Sequence, residues 1–221
     1  MNQLKCHPMA REILFLFLFS SFCFGLSVFR VLFSGLSMYL FLNWNLFLAF
    51  IPWLISLLLV AYVPKNKIVV ITGVSLCILF FPNALYIVTD LFHLTHRAPV
   101  PLWFDLVLIL SFAWTGLLYG FSCLRHLEII LCRYLKPLMG RVFSVTLLFA
   151  GSFGVYLGRY LRWNSWDIWQ QPGALMLDVA HRLLYPFEHP GTWGMTLLLG
   201  LLFNVMYFSM CSGYARRSAV E

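Results

Sequence analysis

The sequence predicts an all-α fold: a polytopic membrane helix bundle of about six transmembrane helices, with an amphipathic segment lying in the outer interface. Three observations lead there. Of 221 residues, 62% are hydrophobic and only 10% charged, whereas a soluble domain of this size needs about 25% charged residues. The apolar residues fall into six runs of about 20, each able to cross ~30 Å of hydrocarbon. No stretch is long and polar enough for a separate soluble domain, so residues 1–221 form one integral membrane domain.

The first run, 13–33, follows Lys5 and Arg11. It is too long for a signal-peptide core and lacks a small-residue cleavage site, so it reads as a retained span. The second covers about 45–63, with residues 34–44 as an interfacial turn and Asn45 suited to capping the helix start. The third and fourth cover 68–91 and 102–124, joined by a connector in which Pro99 and Pro101 disfavour continued helix. Pro82 removes a backbone donor from the third run and predicts a kink there. The fifth and sixth cover 142–161 and 193–214. Short connectors at 64–67 and 98–101 make the second, third and fourth spans antiparallel neighbours.

Two segments flank the later spans. Residues 125–140 read as an amphipathic extension, with Leu127, Ile130, Leu131 and Leu135 set against Arg133 and Lys136. Between the fifth and sixth spans, Trp163, Trp166 and Trp169 step by three in the manner of an interfacial aromatic belt. Pro172-Gly173 then opens a short amphipathic helix that lies flat on the outer surface. Gly116-x-x-x-Gly120 and Gly154-x-x-x-Gly158 provide small-residue faces for close helix contact, and predict packing of the fourth span on the fifth.

Basic residues set the orientation. The side carrying the termini holds Lys5, Arg11, Lys65, Lys67, Arg125, Arg133, Lys136, Arg141, Arg216 and Arg217; the other holds Arg30, Arg97, Arg159, Arg162 and Arg182. Ten against five places both termini in the cytoplasm. On the outer side these five bases meet Asp90, Asp105, Asp167, Asp178 and Glu188, a balance that predicts charges arranged in pairs. The inner excess suits anionic headgroups, so the lipid bilayer is the first partner. The net charge of +7 carries no basic run or zinc-finger spacing, which argues against nucleic acid as a partner.

Chemistry concentrates in Phe80–Arg97, FFPNALYIVTDLFHLTHR. Asn83, Tyr86, Asp90, His93 and Arg97 recur at spacings of three and four, within an arc of about 80° on a helical wheel. Ionisable groups inside a span are costly and need partners, which makes them candidates for function. The expected site is an outward-facing polar pocket in which Asp90 and Asp105 meet Arg159, lined by Asn83, Tyr86 and His93. Its structural alternative is an ion pair that only pins the third, fourth and fifth spans. Metal binding has weaker support. His93-x-x-His96 puts two imidazoles one turn apart, and His181 and His189 share the outer side, but His96 points away from the stripe, so no metal ligands are assigned. No motif selects a cofactor, and no nucleophile stands beside a base.

Four stretches carry a family resemblance: WNLFLAFIPW at 44–53, FPNALYIVTDLFHL at 81–94, PLWFDLVLILSFAWTGLLYGF at 101–121 and GRYLRWNSWDI at 158–168. In that order they resemble an uncharacterised bacterial membrane-protein family, domain of unknown function number thirteen sixty-one. The resemblance implies a multi-pass protein of the bacterial inner membrane and no established activity. The polar positions matching the family's pattern are Asn83, Tyr86, Asp90, Asp105, Arg159, Trp163, Asn164, Trp166 and Asp167. His96, His181 and His189 lie outside it.

The function expected from these readings is binding or passing a small polar or anionic ligand. The alternatives are a membrane-embedded enzyme acting on a lipid-linked substrate, or a structural membrane subunit. The inner halves of the spans show few polar residues, which counts against a complete transport route.

Overall fold

The computed structural model describes residues 3–95 and 99–217. His96 and Arg97, the distal end of the polar stripe, lie outside the described residues. The fold is all-α, with α1 (Gln3–Ser34), α2 (Phe41–Tyr62), α3 (Lys67–Tyr86), α4 (Leu102–Leu131), α5 (Pro137–Tyr160), α6 (Asp167–Gln170), α7 (Pro172–Leu184) and α8 (Pro190–Arg217). A 3-10 segment, Ile87–His93, continues α3, and a second, Pro186–Glu188, links α7 to α8. Six helical segments are long and apolar enough to cross a membrane. This is a multi-pass membrane protein. The near side is the one where α1 starts and α8 ends, and the far side is the opposite one.

Helix boundaries follow local chemistry. Asn66 caps α3 by accepting the Ile68 N–H through its side chain at 2.9 Å, satisfying a donor that the first turn leaves free. The turn before α2 is shorter than expected: the helix begins at Phe41, so Asn45 lies inside it and caps nothing. Its amide is thereby released for a contact across the bundle. In the 125–140 segment, α4 runs on to Leu131 and α5 begins at Pro137.

The glycine stripes do not bring α4 and α5 together as expected. Both face α3 and its 3-10 continuation. A Cβ on Gly116 would overlap Ile87 Cγ2, and one on Gly120 would stand 3.0 Å from Ala84 Cβ. From the other side, a Cβ on Gly154 would stand 2.9 Å from Pro82 Cβ. The proline-bearing helix is therefore clamped between two small-residue faces, which lets backbones approach closely without a hydrophobic drive between helices.

A polar seam docks α1 onto α4. At the near end Glu12 Oε1 accepts from Trp53 Nε1 at 2.8 Å and lies 3.5 Å from His126 Nε2. His126 Nδ1 is 3.0 Å from Ser56 Oγ. Farther along, Ser20 Oγ meets Tyr119 Oη at 2.7 Å and Cys23 Sγ meets Thr115 Oγ1 at 3.3 Å. The near halves of the spans are thus more polar inside than their low charge suggests. Beyond the Glu12–His126 group, single hydroxyl and thiol side chains at three- and four-residue spacings extend the seam, and they leave little trace in composition.

At the far end of the seam, Arg30 Nε and Nη2 donate to the two oxygens of Asp105 at 3.1 and 3.2 Å. Both side chains are essentially inaccessible, 1% and 0% exposed. Arg30 Nη1 also donates to Ser34 Oγ at 2.8 Å, and the guanidinium lies 5.1 Å from the centre of the Tyr39 ring. Burial, and then the nearby Asp105 carboxylate, push the Tyr39 phenol above its ordinary pKa. It remains a donor, bonding to the His93 carbonyl at 3.3 Å.

Candidate ligand-binding site

The change of helix type after Tyr86 builds the site. Asn83 and Tyr86 are carried on α3, and Asp90 on the tighter 3-10 segment, whose pitch differs. Side chains four residues apart, such as Tyr86 and Asp90, therefore no longer align as they would on one continuous α-helix. Asp90 turns inward and is 1% exposed, while His93 is exposed, with its ring edge against Phe41 at 5.1 Å between centroids.

The Asp90 carboxylate takes partners from two other helices. Asn45 Nδ2 donates to Oδ2 at 2.7 Å. Arg159 Nη1, at the end of α5, lies 3.5 Å from Oδ1 and donates to Tyr86 Oη at 3.2 Å. The guanidinium packs over the rings of Tyr86 and Phe92, 5.7 and 5.4 Å from their centroids. Oδ1 receives no hydrogen bond from the described residues, although buried carboxylate oxygens usually have a donor.

Beside this group is a cavity of about 220 Å³ between α2, α3, α5 and the segment that follows α5. Trp44, Trp163 and Trp166 supply aromatic surface, and Asn45, Asn83, Tyr86, Asn164 and Ser165 supply polar groups. The deeper lining is apolar: Leu48, Leu79, Pro82 and Gly154. Among the described residues that line it, the Tyr86 phenol is the one ionisable group.

Hydrogen bonds hold the covering segment. Asn83 Nδ2 donates to Ser165 Oγ at 2.9 Å, and Ser165 Oγ donates to the Leu79 carbonyl at 3.3 Å. Asp167 accepts from the Asn164 backbone N–H at 2.6 Å, closing the turn. Trp163 Nε1 donates to Asp178 Oδ2 at 2.8 Å, tying the segment to α7, whose Leu175 completes the lining.

The structure divides the expected site residues into three groups. Asn83, Tyr86, Trp163, Asn164 and Trp166 line the cavity. Asp90 and Arg159 adjoin it through Asn45 and Tyr86, and Asp167 holds its covering turn. His93 and Asp105 stand apart, which corrects the expectation that Asp90, Asp105 and Arg159 share one pocket. The reason is Arg30: its planar fork occupies both Asp105 oxygens, so Arg159 pairs with Asp90 alone. Arg30 appeared in the sequence only as a basic residue counted at the outer side. Asn45 and Ser165 carry no sequence signal for their contacts: the first suits a helix cap, and the second is a single hydroxyl in an irregular segment.

A family model described as a protein of unknown function, DUF1361, matches residues 44–206. The chain belongs to that family. Comparisons with curated proteins and with solved structures give no match. The matched DUF1361 region contains Asn45, Asp90, Asp105, Arg159 and the whole cavity lining, whereas Arg30 and Glu12 precede it. The Asp90–Asn45–Arg159 group is thus built wholly within the DUF1361 region, and the Asp105–Arg30 pair joins that region to α1.

Proposed function

We propose that this DUF1361 protein sits in the bacterial cytoplasmic membrane with both termini inside, and that its far-side cavity binds a small, neutral, polar ligand from the outer side. The excess of lysine and arginine on the near side supports the orientation. The observation that carries the reading is the lining itself: three indole rings beside amides and hydroxyls, with no lysine, arginine or carboxylate among the described lining residues. Aromatic faces pack against C–H surfaces while amides offer both donors and acceptors. That combination suits a sugar or polyol better than an anion. The nearby Arg159 guanidinium is already engaged by Asp90 and Tyr86. The apolar deep lining supports binding over passage, because a polar solute would lose its hydrogen bonds there.

Tryptophan fluorescence of the full chain in lipid nanodiscs tests this. Titration with glucose, trehalose and glycerol is expected to give a saturable change with at least one of them. Asn83→Ala should weaken that response about tenfold, equivalent to one lost hydrogen bond of about 1.4 kcal/mol. A response to inorganic phosphate and to none of the neutral compounds would refute the proposal.

A further inference from the structure

A second group of side chains lies outside the cavity, where α7 turns into α8. His181 is in the last turn of α7, Glu188 ends the Pro186–Glu188 segment, and His189 follows it. The turn is held by backbone hydrogen bonds from Glu188 to Tyr185 at 3.1 Å and from His189 to Pro186 at 3.2 Å. Prolines at 186 and 190 bracket it. This geometry folds the chain back so that His181 Nδ1 and His189 Nε2 face each other at 2.8 Å. His181 Nε2 is 4.0 Å from Glu188 Oε2. One donor atom from each of the three residues lies within 4.8 Å of the other two.

We propose that His181, Glu188 and His189 form a surface site for a divalent transition-metal ion of the zinc type. Two imidazoles and one carboxylate are a donor set suited to zinc and its borderline neighbours, with a fourth position left for water. At metal–ligand distances of about 2.0–2.2 Å, tetrahedral donors stand roughly 3.3–3.5 Å apart. The facing imidazole nitrogens, now 2.8 Å apart, need to open by about 0.5 Å, and the carboxylate, within 4.8 Å of the other donors, to approach by no more than about 1.5 Å. His181 and Glu188 are exposed and His189 is half-buried, so these adjustments meet little packing resistance. The neighbouring cation is turned away: Arg182 Nη1 donates to the Asp178 carbonyl at 2.8 Å and to its carboxylate at 3.3 Å.

A bound ion would staple the end of α7 to the start of α8. Because α7 supplies Leu175 to the cavity and Asp178 to Trp163, the staple would fix the cavity's cover. Metal binding itself does not depend on what the cavity holds.

The test is a zinc titration of the full chain in nanodiscs against a chromophoric competitor, with Cys132→Ser as background to remove the exposed thiol. The parent should bind one more equivalent of Zn²⁺ than the His181→Ala/His189→Ala double variant. Either single histidine change should weaken that equivalent at least tenfold. Glu188→Gln, a conservative change at an exposed position, should also weaken it. Equal stoichiometry and affinity in the parent and a double variant of unchanged helical content would overturn the proposal.

Discussion

Replacing Arg30 or Asp105 alone by alanine is expected to destabilise the bundle by about 3–5 kcal/mol, the cost of leaving one member of a buried ion pair uncompensated. The pair is bidentate and almost fully inaccessible, and it joins α1 to α4 at the far end of their seam. Its value lies in the match between charges more than in the charges themselves. The double change Arg30→Met/Asp105→Leu should therefore recover most of the loss, since apolar side chains of similar volume avoid desolvating two ions. Reversible unfolding in mixed micelles measures all three variants. A double variant no more stable than the singles would show that the pair does more than hold α1 in place.

Arg159→Ala is expected to have the next largest effect, about 3 kcal/mol, because it strands a carboxylate whose Oδ1 has no hydrogen bond from the described residues. Arg159→Lys should restore most of this. The contact is made through one nitrogen, Nη1, which stands 3.5 Å from Asp90 Oδ1, so a point charge can substitute for the planar fork. The stacking over Tyr86 and Phe92 would be lost, at roughly 0.5–1 kcal/mol for partly exposed contacts. Asn45→Ala should cost about 1–3 kcal/mol by removing the donor to Oδ2. The same unfolding assay separates these cases. A lysine variant as unstable as the alanine variant would contradict the one-nitrogen geometry.

Helix class and number were legible because hydrocarbon thickness imposes a length on every span, and uninterrupted apolar runs reveal it directly. The short helix at 172–184 was legible in its periodicity: Leu175, Met176, Val179 and Leu183 alternate with Asp178, His181 and Arg182 at helical spacing. Partner choice was not legible. Asp105 could have met Arg159 or Arg30, and only the packing of α1 against α4 decides between them. Glycine spacing likewise identifies a face fit for close approach but does not name the helix that fills it. Here α3 fills both faces. The stripe from Asn83 to His93 assumes one continuous α-helix, but a 3-10 segment follows Tyr86; Asp90 within it is buried, and His93, its last residue, is exposed.

Polar contacts made by single uncharged side chains were the hardest to foresee. Asn45 reads as a cap and Ser165 as a loop residue until the fold brings them to Asp90 and Asn83. Neither the residue types nor their spacing distinguishes them from ordinary interfacial serines and asparagines. The same holds for Ser20, Cys23 and Thr115, whose partners lie 92 to 99 residues away in the chain.

An experimental structure of the full chain in lipid nanodiscs, purified without added ligand, tests the binding cavity most directly. The account predicts an open space between α2, α3 and the cover after α5, with non-protein density touching Asn45, Asn83 and the indole of Trp166. A closed space in which Trp44 and Trp166 meet, or one filled by a lipid chain that touches none of those amides, would contradict it.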